Sequence, residues 1–221
     1  MKRIFFNTAL WLSFMLILSG VVFSAESKGF KHLLKLAQQG DVEAQISLAR
    51  MYDTGDGVVQ DYIEALKWYR MAAEHGNVDI QFLVGKIYYS GRVVQQNYTE
   101  ALKWYKMAAE QGHAEAQYEL GIMCGKGEGI TRNYYETIKW VKKAAEQGHA
   151  AAQANLGDMY VKAQGTAQNF KKAYVWYGLA AEQGNNNAKH NMSVVEPKMT
   201  SSQIAEAKKE IAMILEKTQK K

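Results

Sequence analysis

Only one cysteine and one proline occur among the 221 residues, and no acidic residue precedes Glu26. A lone thiol, Cys124, excludes an intramolecular disulfide, so packing alone must stabilise the fold. Catalytic signatures are missing as well. No serine is followed by lysine in a Ser-x-x-Lys spacing, and there is neither a HExxH pair nor a glycine-rich dinucleotide fingerprint. The chain therefore offers no positive evidence for an enzyme and implies no cofactor. A strong charge of either sign is absent too: the formal net charge is +5, which falls to +3 without Lys2 and Arg3. That balance is too mild to argue for nucleic acid as a partner.

Lys2 and Arg3 stand before an apolar run from Ile4 to Phe23, and small residues follow at Ser24 and Ala25. This order reads as a secretory signal peptide over residues 1–25, cut after Ser24 or Ala25. An uncleaved anchor is the alternative, because the run approaches the ~20 residues needed to span a bilayer. Either way the remainder is expected to be exported, periplasmic or secreted from a bacterium, with membrane contact only if the segment stays uncleaved.

What the chain does have is a segment of 36 residues that returns four times between Asp41 and Gly184. Trp68, Trp104, Trp140 and Trp176 mark the register, and AAEHG or AAEQG closes each unit at Gly76, Gly112, Gly148 and Gly184. A period of this length signals a solenoid, in which each unit borrows its neighbour's surface to bury its apolar face.

Each unit reads as two helices. Ala44, Leu48, Ala49 and Tyr52 form an inward stripe on the first, and the same slots hold Ile80, Val84, Gly85, Tyr88, then Ala116, Leu120, Gly121, Cys124, then Ala152, Leu156, Gly157, Tyr160. Glycines break the chain next, as at Gly55 and Gly57, although the fourth unit has Ala163 before Gly165. Asp61, Asn97 and Asn133 then begin the second helix as caps, with Glu64, Glu100 and Glu136 placed to complete a reciprocal capping box. The Trp and Tyr columns are assigned to the core. Phe30–Gln39 aligns with a second helix and forms an N-terminal cap over residues 26–40. Residues 185–221 hold a degenerate half repeat closed by Pro197, then a capping box from Thr200 to Gln203 and an amphipathic helix with Ile204, Ala207, Ile211 and Leu215 inward.

The LG-x-x-Y run, the paired glycines, the D/N-Y start, A-L-K-W-Y, and AAEQG followed by A-x-A-Q together resemble the Sel-one-like repeat family, relatives of the tetratricopeptide repeats. The likeness runs from about residue 30 to residue 196, with departures at Cys124, Val141, Val93 and the turn of the fourth unit. It implies an all-α fold: a right-handed α-solenoid of antiparallel helix pairs, with four repeats between capping helices. It further implies an adaptor for envelope, signalling or host-interaction complexes. A cysteine-rich branch is associated with penicillin binding or β-lactam hydrolysis, but it relies on a disulfide in each unit that this chain cannot make.

Several tempting sites have a plainer explanation. His113 and His149 share one repeat slot but lack the converging ligands that zinc requires, so no metal site is assigned. Gly125–Gly129 lacks the Gly-Lys-Ser/Thr ending of a phosphate loop. Cys124 is expected to pack as a small hydrophobe. Lysines along the second helices lie within helical reach of Glu64, Glu100, Glu136, Glu110 and Glu146, so that stripe is largely self-neutralised.

Variation within the strict pattern is the better guide. Outward slots of the first helices carry Ile46, Phe82 and Tyr118, with Arg50, Lys86 and Ile122 one turn on. On a concave face these would form an apolar ladder with basic neighbours, and aromatic and arginine anchors are the usual hot spots of protein interfaces. The competing explanation is that these side chains also pack between units. The expectation is thus a non-catalytic adaptor that binds a protein or peptide through Ile46, Arg50, Phe82, Lys86, Tyr118 and Ile122. The alternatives are a binder of peptidoglycan glycan, with Tyr118 and Phe82 stacking on sugars, or a hydrolase of the β-lactam type.

Overall fold

A computed structural model describes residues 28–219; the expected leader over residues 1–25 lies outside them. The chain divides into two compact units between Gln95 and Gln96. The first contains α1 (Lys28–Gln38), α2 (Val42–Thr54), α3 (Tyr62–Glu74) and α4 (Val78–Ser90). The second contains α5 (Tyr98–Glu110), α6 (Ala114–Lys126), α7 (Tyr134–Glu146), α8 (Ala150–Lys162), α9 (Phe170–Glu182), α10 (Asn186–Val195), a 3₁₀ turn (Glu196–Lys198) and α11 (Ser201–Gln219). Among the described residues there is no strand, so the all-α solenoid class expected from the repeat holds. None of these helices is long and apolar enough to cross a membrane.

Within each unit, consecutive helices pack as hairpins, and the reasons are local. Every first helix is capped from the same slot. Asp41 accepts from the Ala44 amide at 2.8 Å, and Asn77 accepts from Ile80 at 3.1 Å. In the second unit Nδ1 of His113 and of His149 accepts at 3.1 Å from the Ala116 and Ala152 amides. The shared histidine slot is a cap. The second helices are capped as expected, with Asp61 Oδ1 receiving the Ile63 and Glu64 amides at 2.9 and 3.0 Å. The reciprocal half of that box differs from expectation. The Asp61 amide donates to the Tyr52 carbonyl at 2.8 Å, and the Asn133 amide donates to Cys124 at 2.9 Å. With the cap amide already taken by the preceding helix, Glu64 turns to Lys67 at 2.7 Å.

A buried glutamine joins each helix pair to the one before it. The Nε2 groups of Gln45, Gln81, Gln117 and Gln153 donate to the carbonyls of Ala37, Ala73, Ala109 and Ala145 at 3.0–3.1 Å. In the second unit the ladder continues, since Gln147 Nε2 donates to Gln117 Oε1 and Gln183 Nε2 to Gln153 Oε1, both at 2.8 Å. Each of the four Nε2 donors is thus satisfied by a carbonyl one helix away, which spares the core the cost of a buried unpaired donor.

Trp68, Trp104 and Trp140 are buried, Trp104 at 1% exposure, whereas Trp176 is half-buried. The core assignment therefore holds for the first three tryptophans and only in part for the fourth. Of the tyrosine column, Tyr160 is buried while Tyr52 and Tyr88 are half-buried. Small residues allow the tight approach of paired helices. A Cβ on Gly157 would stand 2.5 Å from the Tyr177 ring, and one on Gly121 would stand 2.8 Å from Val141. Ala163 replaces the glycine that ends the first helix elsewhere, yet it adopts the same left-handed conformation at φ 55°.

Pro197 opens the 3₁₀ turn that ends α10. Thr200 and Gln203 then form a full reciprocal box, with the Gln203 amide donating to Thr200 Oγ1 at 3.2 Å and the Thr200 amide to Gln203 Oε1 at 2.9 Å. Helix α11 lays Ala207 and Ile211 on α9, where Gly178 makes room for Ile211, and Lys171 anchors Glu206 at 2.7 Å. Its inward residues thus pack on the second helix of the last repeat.

Candidate functional site

The outward slots of the first helices are filled differently in the two units. In the first unit Ile46 is buried at 6% exposure, which corrects its expected place on an exposed ladder. The slot borders the core, and a branched side chain with no polar tip is drawn wholly inward there. Arg50, one turn on, is exposed. On α4 Phe82 is half-buried, and Lys86 places its Nζ 5.4 Å from the ring centroid, within cation–π range.

In the second unit Tyr118 is half-buried and packs, with Ala154, against the hydrophobic core. Its ring stacks on His149 with centroids 4.8 Å apart and planes 28° from parallel. The imidazole is held on two sides. Nδ1 accepts the Ala152 amide, so Nε2 carries the proton and donates to Glu115 at 2.8 Å. Burial pushes the Tyr118 phenol above its usual range, and a hydrogen bond with Asn155 opposes that shift. Ile122, one turn along α6, is half-buried.

Asp158 fills the slot that holds Arg50, Lys86 and Ile122 in the earlier repeats. It accepts from the Tyr177 hydroxyl at 2.6 Å and from Asn191 at 3.3 Å, and it pairs with Lys162 at 3.6 Å. Burial, followed by this carboxylate, pushes the Tyr177 phenol well up, so it stays a donor. These groups satisfy one another.

Arg50, Phe82 and Lys86 in the first unit and Tyr118 and Ile122 in the second thus keep surface, while Ile46 does not. Sequence reasoning missed the support for Tyr118. His149 was legible as a capping residue, since Asp41, Asn77 and Asn185 share its slot, but its stacking on a residue 31 positions earlier was not. Among the described residues no group of His, Cys, Asp and Glu side chains converges as a metal site. Cys124 is buried, and burial, reinforced by nearby Glu136, raises its thiol pKa, as suits a packing residue.

Comparison with known proteins places these features. The chain aligns over 83% of its length with a crystal structure described as a protective antigen present in uropathogenic Escherichia coli strains and displaying an SLR fold, at 31% identity and a TM-score of 0.70; the match spans 40% of that protein. A Sel1 repeat protein from Oxalobacter formigenes matches at 32% identity and a TM-score of 0.68, over 82% of this chain and 73% of that one. A stretch of 51 residues is 43% identical to human eukaryotic elongation factor 2 kinase, covering 21% of this chain and 7% of the kinase. Proteins built from such repeats generally bind protein partners. The family model described as Sel1 repeat matches residues 9–41, 42–77, 79–113, 114–149 and 150–185, its first segment taking in α1, and the chain accordingly belongs to the Sel1 repeat family.

Proposed function

We propose that this chain is an exported, non-catalytic adaptor that binds a protein or peptide through the outward face of its first helices, within a bacterial envelope or host-interaction complex. The observation that carries the proposal is Tyr118, an aromatic side chain held in place before any partner arrives. Its ring rests on His149, which Glu115 and the Ala152 amide fix in orientation, and its hydroxyl meets Asn155. A preorganised tyrosine gives up little conformational freedom on binding, which favours it as an anchor. Ile122 extends the same surface by one turn, and Phe82 with Lys86 and Arg50 offers an aromatic–cationic surface in the first unit. Export rests on the basic, apolar and small-residue order of residues 1–25. A relative described as a protective antigen accords with that location.

The test is a photo-crosslinking amino acid at Tyr118, and as a control at exposed Lys106, in the full chain expressed in its native cell. A discrete protein adduct from Tyr118 alone is the expected result. Adducts that are identical from both positions, or absent from both, would remove Tyr118 as the anchor.

A further inference from the structure

The inward slot that carries Tyr52, Tyr88 and Tyr160 carries Cys124 in the third repeat. At Tyr160 the ring fills the space between α7, α8 and α9 almost completely, leaving it 8% exposed, and Lys172 closes over it with Nζ 5.3 Å from the centroid. A cysteine stops at the first atom beyond Cβ, so the volume of a phenol ring is missing from the corresponding place. The surroundings have not collapsed to fill it. A cleft of about 390 Å³ opens there, lined by Leu102, Lys106 and Glu110 of α5, by Leu120 and Cys124 of α6, and by Trp140 of α7. Ile130, which is 43% exposed, adds a further aliphatic side chain to the lining.

The chemistry of the walls narrows the occupant. The charges at the rim pair among themselves: Lys139 with Glu136 at 3.2 Å and Lys106 with Glu110 at 3.9 Å. The polar edge of Trp140 is also satisfied, because its Nε1 donates to Glu136 at 3.2 Å. What remains between those pairs is apolar, with no unpaired cation or anion to select a charged ligand. The buried thiol, its pKa raised, favours contact over covalent capture. The cleft lies within the size range of about 300–1,000 Å³ typical of small-molecule sites.

We infer that the third repeat carries a binding site for a small, uncharged aromatic molecule, a phenol or similar single ring, seated in the space that corresponds to the one Tyr160 fills in the fourth repeat. The site lies between second helices and the inward side of α6, and it is distinct from the Tyr118 surface proposed for a protein partner.

The natural probe is 4-methylphenol, which is the tyrosine side chain without its backbone. Titrated into the full-length ¹⁵N-labelled protein, it is expected to shift the Trp140 indole N–H signal saturably, with a dissociation constant on the order of 1 mM, the range open to so small a ring. The Trp104 indole serves as an internal reference and stays in place. Cys124→Tyr supplies the ring covalently and should weaken binding at least about tenfold, the equivalent of roughly 1.4 kcal/mol, while Cys124→Ala keeps the affinity. Should Cys124→Tyr fail to fold by circular dichroism, Cys124→Met fills part of the space and must weaken binding as well. A shift that does not saturate in the wild type, or an affinity untouched by the filling variants, would overturn the inference.

Discussion

Gln45 is fully buried, at 0% exposure, and its Oε1 has no hydrogen-bond partner. Its counterparts explain why. Gln117 Oε1 accepts from Gln147 Nε2 at 2.8 Å, and the same Gln147 amide also reaches the Gly112 carbonyl at 3.0 Å. Seventy-two residues earlier the donor's slot is held by His75, the acceptor's by Gln45 and the carbonyl's by Gly40. The imidazole lies beside Gly40, with Nε2 3.9 Å from where a Cβ of that residue would stand, and does not serve the buried oxygen. His75→Gln should therefore restore both contacts. An orphaned buried acceptor costs about 1–3 kcal/mol, and fixing one more glutamine costs up to about 1.5–2 kcal/mol. The net expectation is a gain of about 1 kcal/mol, or roughly 2–4 °C in melting temperature for a chain of this size.

Urea unfolding read by circular dichroism measures the gain, and a double-mutant cycle locates it. In a Gln45→Met background the acceptor is gone, so His75→Gln should add nothing. The mirror experiment, Gln147→His, should lower stability by about 1–2 kcal/mol by orphaning Gln117 Oε1. The reasoning is refuted if His75→Gln is neutral or destabilising, or if its gain persists in the Gln45→Met background.

Four further substitutions have defined signs. Ala163→Gly should stabilise by up to about 1 kcal/mol in thermal or urea melts, because alanine at φ 55° bears a left-handed strain that glycine lacks. Trp104→Phe should cost less than Trp140→Phe, since the first removes a buried indole N–H that has no partner and the second breaks the bond to Glu136; equal losses in paired urea melts would count against this. Trp104→Ala, by contrast, should cost about 3–5 kcal/mol through the cavity it leaves.

The fold was legible because a repeat states each physical requirement several times. A single tryptophan or a single Asx-x-x-Glu would be weak evidence, but four tryptophans and three such boxes in one register separate inward slots from outward ones. Helix starts, the left-handed stops and the C-terminal capping box all followed from residue chemistry that acts within one turn of helix. The reciprocal half of the second-helix boxes was misjudged for a reason the sequence conceals. The cap amide of Asp61 is taken by the carbonyl of Tyr52, a residue in the previous helix, and only the folded hairpin reveals that competition. Ile46 was misplaced on similar grounds, because its slot lies where core and surface meet, and side-chain size decides which side wins.

The candidate site was less legible because it depends on departures from the repeat rather than on the repeat itself. Each departure could be seen in the sequence: histidine for asparagine at position 149, cysteine for tyrosine at position 124, histidine for glutamine at position 75. The consequences could not, since they fall on other helices, between 16 and 34 positions away in the chain. His149 meets Tyr118 and Glu115 on α6, Cys124 opens space beside Trp140 on α7, and His75 leaves Gln45 unserved on α2. In a solenoid every slot faces slots on the neighbouring helices, so a substitution on one helix is expressed as a fit, a void or an orphaned atom on another. The two features proposed as binding sites both arise in this way, which locates specificity in the seams between helices while the shared residues of the repeats maintain the fold.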